Sequence, residues 1–228
     1  WVGTPPQRVS VIVDTGSHIT AFPCQGNSEN CKDCGTHTDA YFNTTASSTF
    51  KKLGAGECVQ GHYNSGAKEC RMSQSYAEGS RWDAYEAQDK FYVGGEFNED
   101  GVGSNRTFDF KFGCQTHETG LFITQLADGI MGMDMHANTL VYKLNDNHIL
   151  DSKSFSMCFK LGGGIMNLGL PDPRIHLEDM QYVPLRQGSW FTVTVDEVRI
   201  GDERVDTPAS TWSRGKGMIV DSGTTDTY

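Results

Sequence analysis

One pattern occurs twice in this chain, once near each end: Val11-Ile12-Val13-Asp14-Thr15-Gly16-Ser17 and Met218-Ile219-Val220-Asp221-Ser222-Gly223-Thr224. Each copy is an apolar triplet followed by Asp, a hydroxyl residue, Gly and a second hydroxyl residue. A lone Asp-Ser/Thr-Gly is an ordinary turn, with the Asp bonding to the backbone two residues on. Average composition produces one in roughly one chain in ten of this size. Two copies with matching flanks ask for more. An apolar triplet reads as a buried strand, and the Gly turn at its end carries a carboxylate. The hydroxyls of Ser17 and Thr224 are close enough along the chain to orient those carboxylates. If the two turns face each other, the like charges cannot both ionise, and they share a proton. One carboxylate then serves as base toward a water, while the other carboxyl donates a proton to a substrate carbonyl. Asp14 and Asp221 are therefore the candidate catalytic pair, supported by Thr15, Gly16, Ser17, Ser222, Gly223 and Thr224. Such chemistry calls for no cofactor and no metal.

The rest of the chain repeats with a period of two. Val9, Val11 and Val13 alternate with Ser10 and Ile12, and Phe108, Phe110 and Phe112 alternate with charged neighbours. Phe191, Val193 and Val195 do the same, and Val198 and Ile200 follow one step out of phase, as a bulge would give. Turn residues separate these runs at Gly94-Gly95, Asn98 to Gly103, Gly162 to Gly164 and Gly201-Asp202. One stretch reads as a helix, with Asn138 as N-cap, Leu140, Val141 and Leu144 on one face, and an end near His148. The expected class is all-β with a few short helices. A boundary around Pro171 to Pro184 divides an N-terminal lobe, 1–180, from the start of a C-terminal lobe, 181–228.

Beyond the two Asp motifs, Ala127-Asp128-Gly129-Ile130-Met131-Gly132-Met133 and Ser75-Tyr76-Ala77-Glu78-Gly79-Ser80 occur in the order found in the pepsin-like aspartic proteases, which the chain resembles. These enzymes are the type case of two carboxylates sharing one proton, so that chemistry is applied to the chain here. The resemblance implies a bilobal fold in which the 127–133 segment threads beside the first catalytic loop. It also implies a flap hairpin whose Tyr76 contacts substrate, and strands from Trp190 to Val205 that lead into the second motif. Two positions depart from the pattern: His18 stands where a second Ser is usual, and Ala21 stands where pepsins carry a Trp that hydrogen-bonds the flap Tyr.

A narrower resemblance, to the plasmepsin V-like and nepenthesin-like subgroup, rests on Phe22-Pro23-Cys24 with Cys31-Lys32-Asp33-Cys34-Gly35-Thr36-His37, on Gln74-Ser75-Tyr76 with Glu78-Gly79-Ser80, and on Phe112-Gly113-Cys114 with His117-Glu118. It implies that Glu78, with Gly79 beside it, faces an arginine of the substrate and that Gln125 assists. Glu78 read alone is equally an exposed flap carboxylate. The subgroup processes exported or secreted proteins at an Arg-x-Leu type site within the secretory pathway, as endoplasmic-reticulum or Golgi enzymes that are membrane-anchored or secreted. The expected partner is a polypeptide substrate, and the expected state is a monomer.

Seven cysteines fit that compartment. Cys24, Cys31, Cys34 and His37 have spacing that also suits zinc. A secretory-type protease with Cys58 and Cys70 nearby favours disulfides. Six cysteines, Cys24, Cys31, Cys34, Cys58, Cys70 and Cys114, can close three bridges of unread connectivity, which leaves Cys158 over. Asn43-Thr44-Thr45 and Asn105-Arg106-Thr107 make Asn43 and Asn105 candidate glycosylation sites. Lys+Arg 19 against Asp+Glu 29 gives a net charge of −10. With no basic cluster, that balance argues against nucleic acid or anionic lipid as the main partner.

No run of about 18 apolar residues offers a membrane span. The first residue is not Met and no basic-then-apolar leader follows, so a targeting segment or membrane anchor is expected only outside these residues. The second motif arrives at Asp221, the 228-residue chain stops soon after, and no second apolar-apolar-Gly segment follows. The expectation is one complete lobe and part of another, C-terminally truncated. Two rivals remain: a non-catalytic binding or inhibitor protein on the same scaffold, and a zinc-dependent module built on Cys24 to His37.

Overall fold

The computed structural model describes residues 1–26, 30–93, 106–215 and 217–224. The Gly94-Gly95 and Asn98 to Gly103 turns and the Asn105 acceptor lie outside the described residues. Contacts group the chain into two units, 1–12 with 19–131 and 13–18 with 132–228. Among the described residues, no helix is long and apolar enough to cross a membrane.

The strands that build the first unit's sheet are β1 (Val11–Asp14), β2 (Thr20–Gln25), β3 (Phe42–Asn43), β4 (Lys51–Lys52), β5 (His62–Asn64), β6 (Glu69–Ser75), β7 (Arg81–Phe91), β8 (Phe108–Thr119) and β9 (Gly129–Gly132). They lie in the order β1-β9-β2-β8-β7-β6-β5, with β3 on β2 and β4 on β7. The alternation read from the sequence along β8 holds. Phe108, Phe110 and Phe112 are buried, while Asp109 and Lys111 face water. Phe112 stacks on Phe22 of β2 at 4.7 Å between ring centroids, and Phe110 meets Phe91 of β7 at 4.8 Å. Such aromatic pairs add about 0.5–1.5 kcal/mol each beyond their buried area. Truncating one of these rings to Ala would cost about 3–5 kcal/mol.

Three disulfides tie this unit: Cys24–Cys114 across the parallel neighbours β2 and β8, Cys31–Cys34 within the loop after β2, and Cys58–Cys70. The sulfurs of Cys24, Cys31 and Cys34 are thus bonded to sulfur and are not metal ligands. The zinc-module rival is set aside. Cys158 is exposed and free. One buried carboxylate of this unit, that of Glu86, is matched to backbone donors. It accepts from the N–H groups of Val59, Gln60 and Gly61, which pins the loop that bears Cys58.

In the second unit, α2 (Leu140–Asp146) follows the short α1 (Leu121–Thr124) of the first. Seven residues cannot sustain a helix alone in water. Burial of Leu140, Val141 and Leu144 on one face holds it. Its N-cap is Thr139 and not Asn138. Asn138 lies one step earlier, with its N–H on His136 Nδ1, and the Thr139 hydroxyl turns back to the His136 carbonyl. β10 (Phe155–Lys160) and β11 (Gly163–Leu168) form the hairpin expected around Gly162. The run from Phe191 to Ile200 is not one bulged strand. Instead β12 (Thr192–Val193) pairs β15 (Met218–Ile219), and β13 (Arg199–Ile200) pairs β14 (Glu203–Arg204). Among the described pairings, the register shift falls on β7, between Asp83 and Ala84.

Candidate active site

Both Asp loops belong to the second unit. Asp14 ends β1, and Asp221 follows β15 by two residues, where the Val220 N–H donates to the Phe191 carbonyl at 2.9 Å. Within each motif the same two bonds recur. The Gly16 N–H donates to Asp14 Oδ1 at 2.9 Å, and the Ser17 hydroxyl donates to Asp14 Oδ2. Likewise the Gly223 N–H donates to Asp221 Oδ1 at 2.8 Å, and the Thr224 hydroxyl donates to Oδ2 at 2.5 Å.

The middle hydroxyl residues lock one loop to the other. Thr15 Oγ1 accepts from the Ser222 N–H at 2.9 Å and donates to the Val220 carbonyl at 2.8 Å. Ser222 Oγ accepts from the Thr15 N–H at 3.2 Å and donates to the Val13 carbonyl at 2.5 Å. Each hydroxyl so accepts a hydrogen bond from the opposing loop's backbone N–H and donates one to the carbonyl before the opposing Asp. A hydroxyl residue suits this place because its single oxygen both donates and accepts. The glycines are needed for approach. A Cβ on Gly16 would sit 2.3 Å from Asp221 Oδ2, and one on Gly223 would sit 2.3 Å from Asp14 Oδ1.

The result is two carboxyls, each close to the opposing loop's glycine, in unequal surroundings. Asp14 is 3% exposed, while Asp221 is half-buried. Burial pushes the Asp14 carboxyl up to about 6, opposed by the Ser17 hydroxyl and the Gly16 N–H and reinforced by Asp221. One carboxyl held protonated beside one carboxylate can move a proton in either direction in mildly acidic solution. The 127–133 segment meets the first Asp loop as expected: the Met133 N–H donates to the Asp14 carbonyl at 2.7 Å, and the Asp134 N–H to the Ser17 carbonyl at 3.0 Å.

The flap residues lie in the first unit. β6 and β7 form a hairpin whose tip is closed by Tyr76 N–H to the Ser80 carbonyl, 2.9 Å, and Gly79 N–H to the Tyr76 carbonyl, 3.1 Å, with Gly79 at a φ of 94°. Glu78 is exposed at the tip. Gln125, just past α1, turns its amide into the Ala127 carbonyl at 3.0 Å. Among the described residues no hydrogen bond or ion pair joins Glu78 to Gln125.

Two tryptophans were not legible as site residues. With Ala21 in place of the usual Trp, the indole N–H of Trp82 donates to the Tyr76 hydroxyl at 3.1 Å from the second strand of the same hairpin. Trp82 is fully buried, and Phe122 packs on Tyr76 at 5.2 Å. An apolar Trp between Arg81 and Asp83 was the available signal. Trp190 donates to the Gly16 carbonyl at 2.9 Å, across 174 positions, and no local pattern announces that bond. His18, the other departure, stands 3.3 Å from buried Asp134 and stacks near His136, with ring centroids 4.6 Å apart.

The chain's residues 1–170 match the family described as "Xylanase inhibitor N-terminal". Aspartic protease 5 of Toxoplasma gondii is 34% identical over 195 residues, covering 76% of this chain and 19% of that protein. Plasmepsin V of Plasmodium falciparum (isolate 3D7) is 32% identical over 186 residues, 79% of this chain and 30% of the relative. A probable vacuolar protease A of Trichophyton verrucosum (strain HKI 0517) is 27% identical over 237 residues, 98% of this chain and 50% of the relative. The chain thus spans from about a fifth to half the length of these relatives.

Proposed function

The chain belongs to the pepsin-like aspartic proteases, and from that premise we propose that the protein containing it is an aspartic endopeptidase acting on polypeptides. The observation that carries the reading is the pairing of Asp14 with Asp221 through matched hydrogen bonds, with Asp14 pushed up to about 6. The ionised carboxylate takes a proton from the water that attacks the scissile carbonyl carbon. The protonated carboxyl gives its proton to the carbonyl oxygen. As the C–N bond breaks, the proton gained from water passes to the leaving nitrogen. Thr15, Ser17, Ser222 and Thr224 hold the pair in register, and Gly16 and Gly223 leave room for it. Tyr76 is read as the flap residue that contacts substrate.

The finer reading is cleavage at an Arg-x-Leu type site, with Glu78 and Gln125 receiving the arginine, on secreted or exported proteins in an oxidising compartment. The exposed tip carboxylate of Glu78, the three disulfides and the likeness to plasmepsin V support it. The same reading takes the protein as a monomer with lobes divided at 180/181 and a glycan on Asn43. Profiling a peptide library with the full-length enzyme tests it. A requirement for Arg two residues before the residue preceding the cut is expected, and indifference there leaves a generic pepsin-like enzyme. Asp14→Ala abolishes cleavage if the dyad assignment is right.

A second reading, a non-catalytic inhibitor or binding protein, is favoured by the name of the matching family alone. Pepstatin-sensitive turnover by the purified full-length protein would dismiss it.

A further inference from the structure

A buried imidazole joins the Cys31–Cys34 loop to the segment that carries Gln125. The side chains of His37 and Glu118 are both fully buried. His37 Nδ1 lies 3.0 Å from the Gln125 carbonyl oxygen, and Nε2 is bonded to the Cys34 carbonyl oxygen. Both partners are acceptors. A neutral imidazole has one N–H and one lone pair, so in either tautomer one of these contacts would set a lone pair against a carbonyl oxygen. Only the doubly protonated ring donates to both. Its charge is met by Glu118 Oε2, 3.6 Å from Nε2. Neither Glu118 oxygen has a hydrogen-bond partner among the described residues, so this buried carboxylate has no other visible compensation.

The surroundings offer few other charges. Tyr41 approaches the ring at 6.1 Å between centroids, with its hydroxyl donated to the Gly35 carbonyl at 2.5 Å. α1 carries no titratable side chain and contributes the Gln125 carbonyl through the turn that follows it. Lys32 and Asp33 of the loop are exposed, as is His117, whose Nδ1 faces the Lys32 carbonyl. Asp39 is turned to Arg8 at 2.7 Å.

We propose that His37 is held as an imidazolium by Glu118, and that this pair is a positioning device that fixes Gln125 while its proton is in place and frees it when the proton leaves. Burial pushes the Glu118 carboxyl up to about 8, which favours a proton kept beside it, and the two carbonyl acceptors place that proton on the ring. When it passes to solvent, a buried carboxylate faces a neutral imidazole, and one carbonyl contact turns repulsive. The link to selectivity rests on the proposed contact of Gln125 with substrate.

Two measurements on the full-length protein separate this inference from that reading. Selective 15N-histidine NMR at pH 7.5, with the signal identified by its loss in His37→Gln, is expected to find both His37 nitrogens protonated, where an ordinary imidazole is mostly neutral. A single-tautomer neutral ring would overturn the proposal whatever the enzyme cleaves. Glu118→Gln is expected to remove one ring proton at pH 7.5, and an unchanged spectrum would remove Glu118 from the device. In cleavage assays, Glu118→Gln is expected to lower the preference for Arg-containing over Ala-substituted peptide several-fold at pH 7.5 and to restore it at pH 5.5. A preference equal to wild type at both values refutes the coupling to Gln125. A wild-type enzyme with no Arg preference refutes the substrate reading and leaves the NMR result standing.

Discussion

Removing the Ser17 hydroxyl tests the dyad most directly. In the native loop that hydroxyl donates to Asp14 Oδ2 and the Gly16 N–H donates to Oδ1, both favouring the ionised form against the burial that pushes the carboxyl up to about 6. A hydrogen bond to a charged group contributes about 1.5–3 kcal/mol. One pH unit corresponds to about 1.4 kcal/mol. Ser17→Ala therefore raises the Asp14 carboxyl by about one to two pH units. The active form holds one proton between the two carboxyls and loses it as pH rises through the Asp14 value, so this group sets the alkaline limb of the rate profile. The assay is kcat/KM of the full-length enzyme on a fluorogenic peptide between pH 3 and 9, which reports ionisation in the free enzyme. Wild type should fall away above about pH 6, and the variant's limb should lie about one to two units higher, under a lower maximum because the carboxylate is less firmly oriented. A limb that stays put or moves to lower pH would mean that the hydroxyl does not stabilise the charged form, or that Asp14 is not the group that ionises.

Asp14→Asn should stabilise the protein while abolishing activity. With the folded carboxyl at about 6 against 3.8 unperturbed, the native state holds the extra proton between those values, so stability falls as pH rises through that window. The neutral amide removes this penalty, up to about 3 kcal/mol at pH 7 and nearly none at pH 3; chemical denaturation at the two pH values checks it, and equal effects at both refute it. Trp82→Phe deletes the donor to Tyr76 and keeps most of the ring. A lost neutral hydrogen bond of about 0.5–1.5 kcal/mol predicts a roughly 2- to 12-fold drop in kcat/KM, and no change beyond a Tm shift would make Trp82 merely structural. Cys24→Ser with Cys114→Ser should cost about 2–5 kcal/mol in denaturant titration, and a loss below about 1 kcal/mol would mean the β2–β8 pairing stands without its bridge.

Much of the site was legible because its chemistry is local in sequence. Asp, hydroxyl, Gly, hydroxyl is a self-contained loop: the Gly16 N–H and the Ser17 hydroxyl reach Asp14 within three residues, and Thr224 does the same for Asp221. The alternation of Phe108, Phe110 and Phe112 announced a half-buried strand for the same reason. Short strands near the second motif leave no clear sequence pattern, since a two-residue strand such as β12 exists only through its partner β15. The cap of α2 moved to Thr139 because a turn at His136 claimed Asn138.

The sequence by itself determined which side chains form the candidate pair and that their loops repeat, because residue type and close spacing suffice for both. Tertiary structure decided what surrounds them. It put a Trp82 N–H on Tyr76 in place of the one Ala21 lacks, and it crossed the Thr15 and Ser222 loops. It also paired Cys24 with Cys114 and brought Glu118 within reach of His37. Each of these contacts depends on strand register and on burial, and burial sets how strongly a charge or a donor is felt.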